Sequence, residues 1–298
     1  MEKLALERQN EEASLKLLAV KDLLYTGSAQ WSHFLYVTSL MPIFFQIIKV
    51  RFPLLSNWEV YVSLFSLIAV IGVDKLIKKR FEKATLLAEE FDTALFGLNW
   101  HDDLYGSKIS PEERHRIALS IKKIEGYKNW YSPESLTEIP RNIAILLCQR
   151  QNTRWDMQQK RRFANFLTCL FVISAIGVIG LGLYFQDILF YAWFISILFP
   201  AAAFMVKTWT LNQSFSNTAS KQTTLAADID SALEEFFASR RVVSVVRLRR
   251  FQDRIFEYRK ENIIVPGWLY RRFKTTDQQV ASMATQELVN KVKLRNNE

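Results

Sequence analysis

Two cysteines, Cys148 and Cys169, are all that 298 residues contain, which excludes a disulfide-stapled scaffold and suits a reducing compartment. Glycine (9) and proline (7) are scarce, so collagen-like and linker-like chains are excluded as well. Three histidines, His33, His101 and His115, leave little for zinc or acid–base chemistry, and there is no glycine-rich phosphate loop, serine elbow or metal-ligand spacing. His101-Asp102-Asp103 groups an imidazole with acids, but consecutive residues do not share a helix face, so it reads as a polar turn. No catalytic residue, metal ligand or cofactor is expected, and the chain reads as a non-enzyme. A cleavable signal peptide is also missing, because MEKLALERQNEE is charged where an apolar stretch should stand.

Long apolar runs are what the chain does have. Its mean hydropathy of -0.01 averages two unlike populations. Phe163 to Gln186 carries no charge and is apolar on every face, long enough at about 1.5 Å per residue to cross a hydrocarbon core of about 30 Å. Ile188 to Val206 is a second such run, separated from the first by Asp187 alone, so the two read as a tight hairpin. An earlier hairpin pairs Gly27–Ile48, which Pro42 should kink, with the shorter run Val60–Val73, flanked by Trp58, Tyr61 and Lys75 at interfacial positions. Lys and Arg cluster before residue 30, after residue 74 and before residue 163, whereas the first hairpin tip holds only Lys49 and Arg51 and the second none. Both termini and the middle segment are therefore expected in the cytoplasm.

The reading that follows is an all-α integral membrane protein with four transmembrane helices in two hairpins and a helical cytoplasmic domain built from the middle and C-terminal segments. Residues 1–28 form a cytoplasmic amphipathic helix with Leu15, Leu18, Leu23 and Leu24 on its apolar side. Residues 29–78 are the first hairpin, 79–162 a cytoplasmic segment, 163–207 the second hairpin and 208–298 the C-terminal cytoplasmic segment. Ser110-Pro111-Glu112-Glu113 starts a helix by hydroxyl cap, proline and acids, and Ser132-Pro133-Glu134 repeats the device. From Pro140 one long helix is expected to run into the third span, and the fourth span to continue toward Phe237. Val242–Val246 is β-branched enough to be ambiguous, and Pro266-Gly267 marks a break.

Polar groups within the spans are few. His33, Thr38, Ser39 and Gln46 in the first and Ser63 and Ser66 in the second can line an aqueous path, although such hydroxyls more often bond their own backbone or a neighbour. Pro42 and Gln46 are packing or pore candidates, and Gly177, Gly180 and Gly182 permit close approach of a span of the same chain or of a second subunit. Three cytoplasmic clusters join arginine to aromatics: Trp130-Tyr131, CQRQNTRWD (148–156) and PGWLYRR (266–272). Aromatic faces stack bases and guanidinium groups grip phosphates, although Arg150, Arg154, Arg161 and Arg162 just inside a span also suit lipid headgroups, and Trp155 and Trp268 also suit a core.

In order, RQNEEASLKLLAVKDLLYTGSAQ (8–30), FDTALFGLNW (91–100), AILLCQRQNTRWDMQQKRRF (144–163) and IIVPGWLYRRF (263–273) resemble the four-span effectors associated with SMODS-type nucleotide cyclases, the S-4TM family. Gln158-Gln159 replaces an expected Leu-Arg pair, and Gly267 an Asp. The resemblance implies a membrane-disrupting effector of bacterial anti-phage defence (CBASS), in the inner membrane, opened by a cyclic oligonucleotide that a partner cyclase makes. It also implies a homo-oligomer, and no DNA binding. The ligand-site candidates are Arg150, Arg271 and Arg272 for phosphates, Trp155 or Tyr270 for a base, and Asn152 and Trp268 beside them. Two other classes stand alongside: a membrane scaffold or sensor that recruits a protein partner, and a ligand-gated ion channel.

Overall fold

The computed structural model describes residues 4–121, 123–184, 199–239, 241–261 and 265–297. Among them every regular element is helical and no strand occurs, as the all-α reading expects. A 3-10 turn, Leu6–Asn10, leads into α1, Glu12–Arg51, which is helical without interruption through Pro42. The side chains of Pro42 and Gln46 lie outside the description. A second 3-10 turn, Pro53–Trp58, returns the chain as α2, Glu59–Phe96, packed along α1. Thr38 Oγ1 donates to Phe34 O and Ser66 Oγ to Thr38 O, each at 2.8 Å, so both hydroxyls are spent on backbone.

Helix α2 ends at Gly97, whose φ of 62° is left-handed. An added Cβ there would also lie 2.5 Å from the Arg141 guanidinium, which donates to Phe96 O at 2.7 Å. The left-handed conformation is what calls for glycine, since the arginine tip could shift. The short helices α3, Asp102–Tyr105, and α4, Pro111–Ala118, follow, and Ser110 Oγ accepts from Glu113 N at 3.2 Å as the capping signal predicts. The similar signal at Ser132 yields only a 3-10 turn, Glu134–Glu138. Pro140 requires an extended residue before it, and Ile139, at φ -111° and ψ 165°, supplies one and stops the helix.

Helix α5, Arg141–Tyr184, is the long helix anticipated from Pro140. Helix α6, Phe199–Ser239, packs along it and reaches past Phe237. Residues 185–198, which hold the second hairpin tip and the first half of the fourth predicted span, lie outside the description. Of the ambiguous Val242–Val246, residues 242–244 carry no regular structure and Val245 and Val246 open α7, Val245–Glu261, with Ser244 Oγ accepting from Arg247 N. Helix α8, Gly267–Asn297, completes the chain.

Burial changes character along α5. Ile143 to Cys148 are buried all round, against Phe91 and Leu95 of α2, Leu225 and Ile229 of α6, Leu248 and Phe251 of α7 and Val289 of α8. One core thus unites residues from 79–162 and 208–298 with Leu6 and Leu18 of the N-terminal segment. Farther along the same helix, Ile173, Ile176 and Ile179 are 66%, 64% and 61% exposed. Among the described residues α5 is the one helix long and apolar enough to cross a membrane, and 17% of its most apolar window is buried in the chain. Phe44 of α1 and Leu64 and Ile68 of α2 are exposed in the same way. Gly177 and Gly180 were candidates for packing within the chain, yet among the described residues nothing comes within 4 Å of a Cβ placed on either. Gly182 is partly buried.

Candidate ligand-binding site

Where the loop 129–132, α5 and α8 meet, a cavity of about 320 Å³ opens. The loop contributes Asn129, Trp130, Tyr131 and Ser132. Helix α5 contributes Gln151, Asn152 and Trp155, and α8 contributes Tyr270, Gln278, Gln279 and Ser282. The helix residues follow from spacing, since 151, 152 and 155 share one face of α5, as do 278, 279 and 282 of α8.

The loop is pinned from the N terminus. Gln9 Oε1 accepts from Tyr131 N at 2.8 Å and Gln9 Nε2 donates to Tyr131 O at 3.2 Å. Asn10 pairs in the same way with Asn129, by side chain and by backbone, each at 2.9 Å, which holds Asn129 at its positive φ of 54°. Behind the lining residues lies a buried ionic network. Tyr131 Oη donates to Asp92 Oδ1 at 2.6 Å, and the Asn152 amide bonds the same hydroxyl. Arg259 Nη1 lies 2.7 Å from Asp92 Oδ2. Beneath, Glu89 pairs with Arg249 at 2.8 Å and accepts from Gln252 at 2.8 Å. Burial first, and then the charge of Asp92, pushes the Glu89 carboxyl above its usual range and the Tyr131 phenol well above its own.

No charged side chain lines the cavity, but amides and aromatic faces do. Among the described residues Gln151 Oε1 is buried without a hydrogen-bond partner. Trp155 and Tyr270 approach across the cleft with ring centroids 6.5 Å apart, tilted by 54°. Cations back the aromatics, Lys21 Nζ at 3.7 Å from the Trp130 ring centre and Lys274 Nζ at 5.7 Å from that of Tyr270. Burial, helped by Arg259, lowers the Lys21 ammonium to about 8, while burial and Asp22 push the Tyr270 phenol up to about 12. Such a site suits a flat, hydrogen-bonding ring, which it can stack and whose edge it can read.

Of the residues the sequence singled out, Asn152, Trp155 and Tyr270 come together here. Arg150 does not. Its Nε lies 2.6 Å from Asp230 Oδ1 of α6, and Arg154 takes the other oxygen of that carboxylate, so its guanidinium is already committed. Trp268 stands on the outer side of α8, edge-on to Phe166 at 5.3 Å. Arg271 and Arg272 are exposed and line no part of the cavity. His101 lies 3.3 Å from Asp253, and among the described residues no three His, Cys, Asp or Glu side chains converge as a metal site would require. Sequence reading missed Gln151, Gln278, Gln279 and Ser282. Gln151 lay inside the QRQN motif, and the other three carry no signal beyond polarity.

No solved structure matches the chain. A protein of Bacillus cereus (strain VD146) named probable CBASS effector molecule IK1_05631 is 27% identical over 277 residues, covering 89% of this chain and 91% of that protein. The SMODS-associating 4TM effector domain matches residues 5–288. From the pinned N-terminal turn to the last helix, the fold described above lies almost wholly within that match, and the chain belongs to the SMODS-associating 4TM effector family.

Proposed function

We propose that the protein is a non-catalytic, membrane-disrupting effector of bacterial anti-phage defence, opened by a cyclic oligonucleotide that a partner nucleotide cyclase makes. The four apolar runs cross the inner membrane in two hairpins, both termini stay in the cytoplasm, and a base of the ligand enters the α5–α8 cavity. Trp155 and Tyr270 stack that base, Gln151 and Asn152 read its edge, and Lys274 meets a phosphate at the mouth. DNA plays no part.

One observation carries this reading. The helix that supplies Asn152 and Trp155 to the cavity runs without a break into its own apolar stretch at Phe163, about 12 Å farther on. A ligand that prefers one setting of α5 therefore biases the span directly, and a swing from 1:99 to 99:1 needs about 5.5 kcal/mol of preference. Among the described residues nothing lies within 4 Å of a Cβ placed on Gly177 or Gly180, which leaves them available to a second copy, and the pore is built from several copies. Dye-loaded liposomes carrying the protein should leak only when a cyclic oligonucleotide is added. Liposomes that stay tight with every cyclic oligonucleotide would favour a scaffold, and discrete, selective conductance would favour a gated channel.

A further inference from the structure

We propose that Trp268, Arg271 and Arg272 form an interfacial anchor for anionic lipid headgroups, set on the same turns of α8 that carry Tyr270 into the cavity. The proposal rests on α5 crossing the bilayer, and is independent of which ligand fills the cavity. Positions 268, 271 and 272 stand at i, i+3 and i+4, which places them on one face of the helix. All three are exposed, Trp268 by 44%. The opposite side of these turns is fixed, since Leu269 and Val265 pack with Phe163, Leu167 and Phe215. That contact pins the start of α8 to the first turn of α5's apolar stretch.

Trp268 meets Phe166, itself 41% exposed, four residues or about 6 Å beyond Arg162. An indole over the first turn of an apolar stretch sits at the depth where tryptophan belts gather. The arginines add charge of the matching sign. Neighbouring Arg162 is bound by Asp277 through two contacts of 2.6 and 2.9 Å, whereas among the described residues neither Arg271 nor Arg272 has an ion pair. The first turn of α8 has no acidic residue, so two guanidinium groups lie near the positive end of a helix with no internal anion to offset them. Phosphate headgroups outside the protein complete that balance. Because Tyr270 lies between Trp268 and Arg271, a ligand seated on it pulls against the anchored turn.

The test uses the full chain in micelles titrated with brominated phosphatidylglycerol, and the difference in fluorescence between wild type and Trp268→Phe isolates the one indole. The Trp268 component should be quenched, at lower mole fraction with phosphatidylglycerol than with brominated phosphatidylcholine. Arg271→Gln and Arg272→Gln should each raise the half-quenching fraction about fivefold. If Trp268 escapes quenching while the remaining tryptophans are quenched, the anchor is wrong and the spans stand. If no tryptophan is quenched, the crossing of α5 falls and the anchor with it. Equal titrations with both lipids, or with the arginines removed, would overturn the headgroup role.

Discussion

Trp155 of α5 and Tyr270 of α8 face one another across the cleft at 6.5 Å between ring centroids, joining the helix that runs to the apolar stretch with the helix that closes the cavity. Base stacking on an aromatic side chain contributes about 1–3 kcal/mol. Trp155→Ala should therefore weaken cyclic oligonucleotide binding by about 10- to 100-fold in titration calorimetry and leave helical content unchanged. Unaltered affinity would place the ligand elsewhere.

The Arg150–Asp230 pair predicts a different outcome for a residue that its motif made look like a phosphate ligand. Arg150→Ala should lower thermal stability, by about 1–3 kcal/mol, more than it lowers ligand affinity. Asp230→Asn should cost at least as much, because it releases Arg150 and Arg154 together. A variant that folds as wild type but no longer binds would return Arg150 to the site.

Glu89 is fully buried, with Arg249 at 2.8 Å. Arg249→Met leaves the buried Glu89 with only the longer ion pairing to Arg259 at 3.9 Å, so it should cost about 3–5 kcal/mol, read as a lowered unfolding midpoint. Glu89→Gln combined with Arg249→Met should be milder than Arg249→Met alone, since it removes the poorly paired charge.

Lys21 sets a pH dependence whose sign follows from its lowered value of about 8 against 10.5. Between those values the unfolded chain holds more protons than the folded one, so stability rises with pH across that window. Below about pH 8 the ammonium is charged in both states and its burial costs the full amount, about 3 kcal/mol. The thermal midpoint of wild type should climb relative to that of Lys21→Met as pH goes from 8 to 10. Parallel curves would mean that Lys21 stays charged without cost.

Much of this fold was legible because apolar runs and punctuation are local. Pro140 and the uncharged run from Phe163 announce α5, and Ser110-Pro111 announces α4. What stayed hidden depends on distance in the chain. Glu89, Glu90 and Asp92 look like a solvated face, and only Arg249 and Arg259, well over a hundred residues on, reveal that two of them are buried. Arg150 read as free because Asp230 is 80 residues away. Helical spacing did hold one unused clue. Adjacent positions differ by about 100° around the axis, so Tyr270 and Arg271 could not both face the cavity squarely.

In the proposed function, α5 transmits ligand binding from the cavity to the span as one continuous rod. Gln158 and Gln159 lie between Trp155 and Phe163 on α5 and line no part of the cavity. Replacing both with glycine softens the rod there at about 1 kcal/mol each. The decisive measurement is ligand-triggered dye release from liposomes carrying Gln158→Gly/Gln159→Gly, alongside its ligand affinity. Affinity should stay within a few-fold of wild type while release falls at least tenfold. Release at the wild-type level, with ligand still bound, would contradict it.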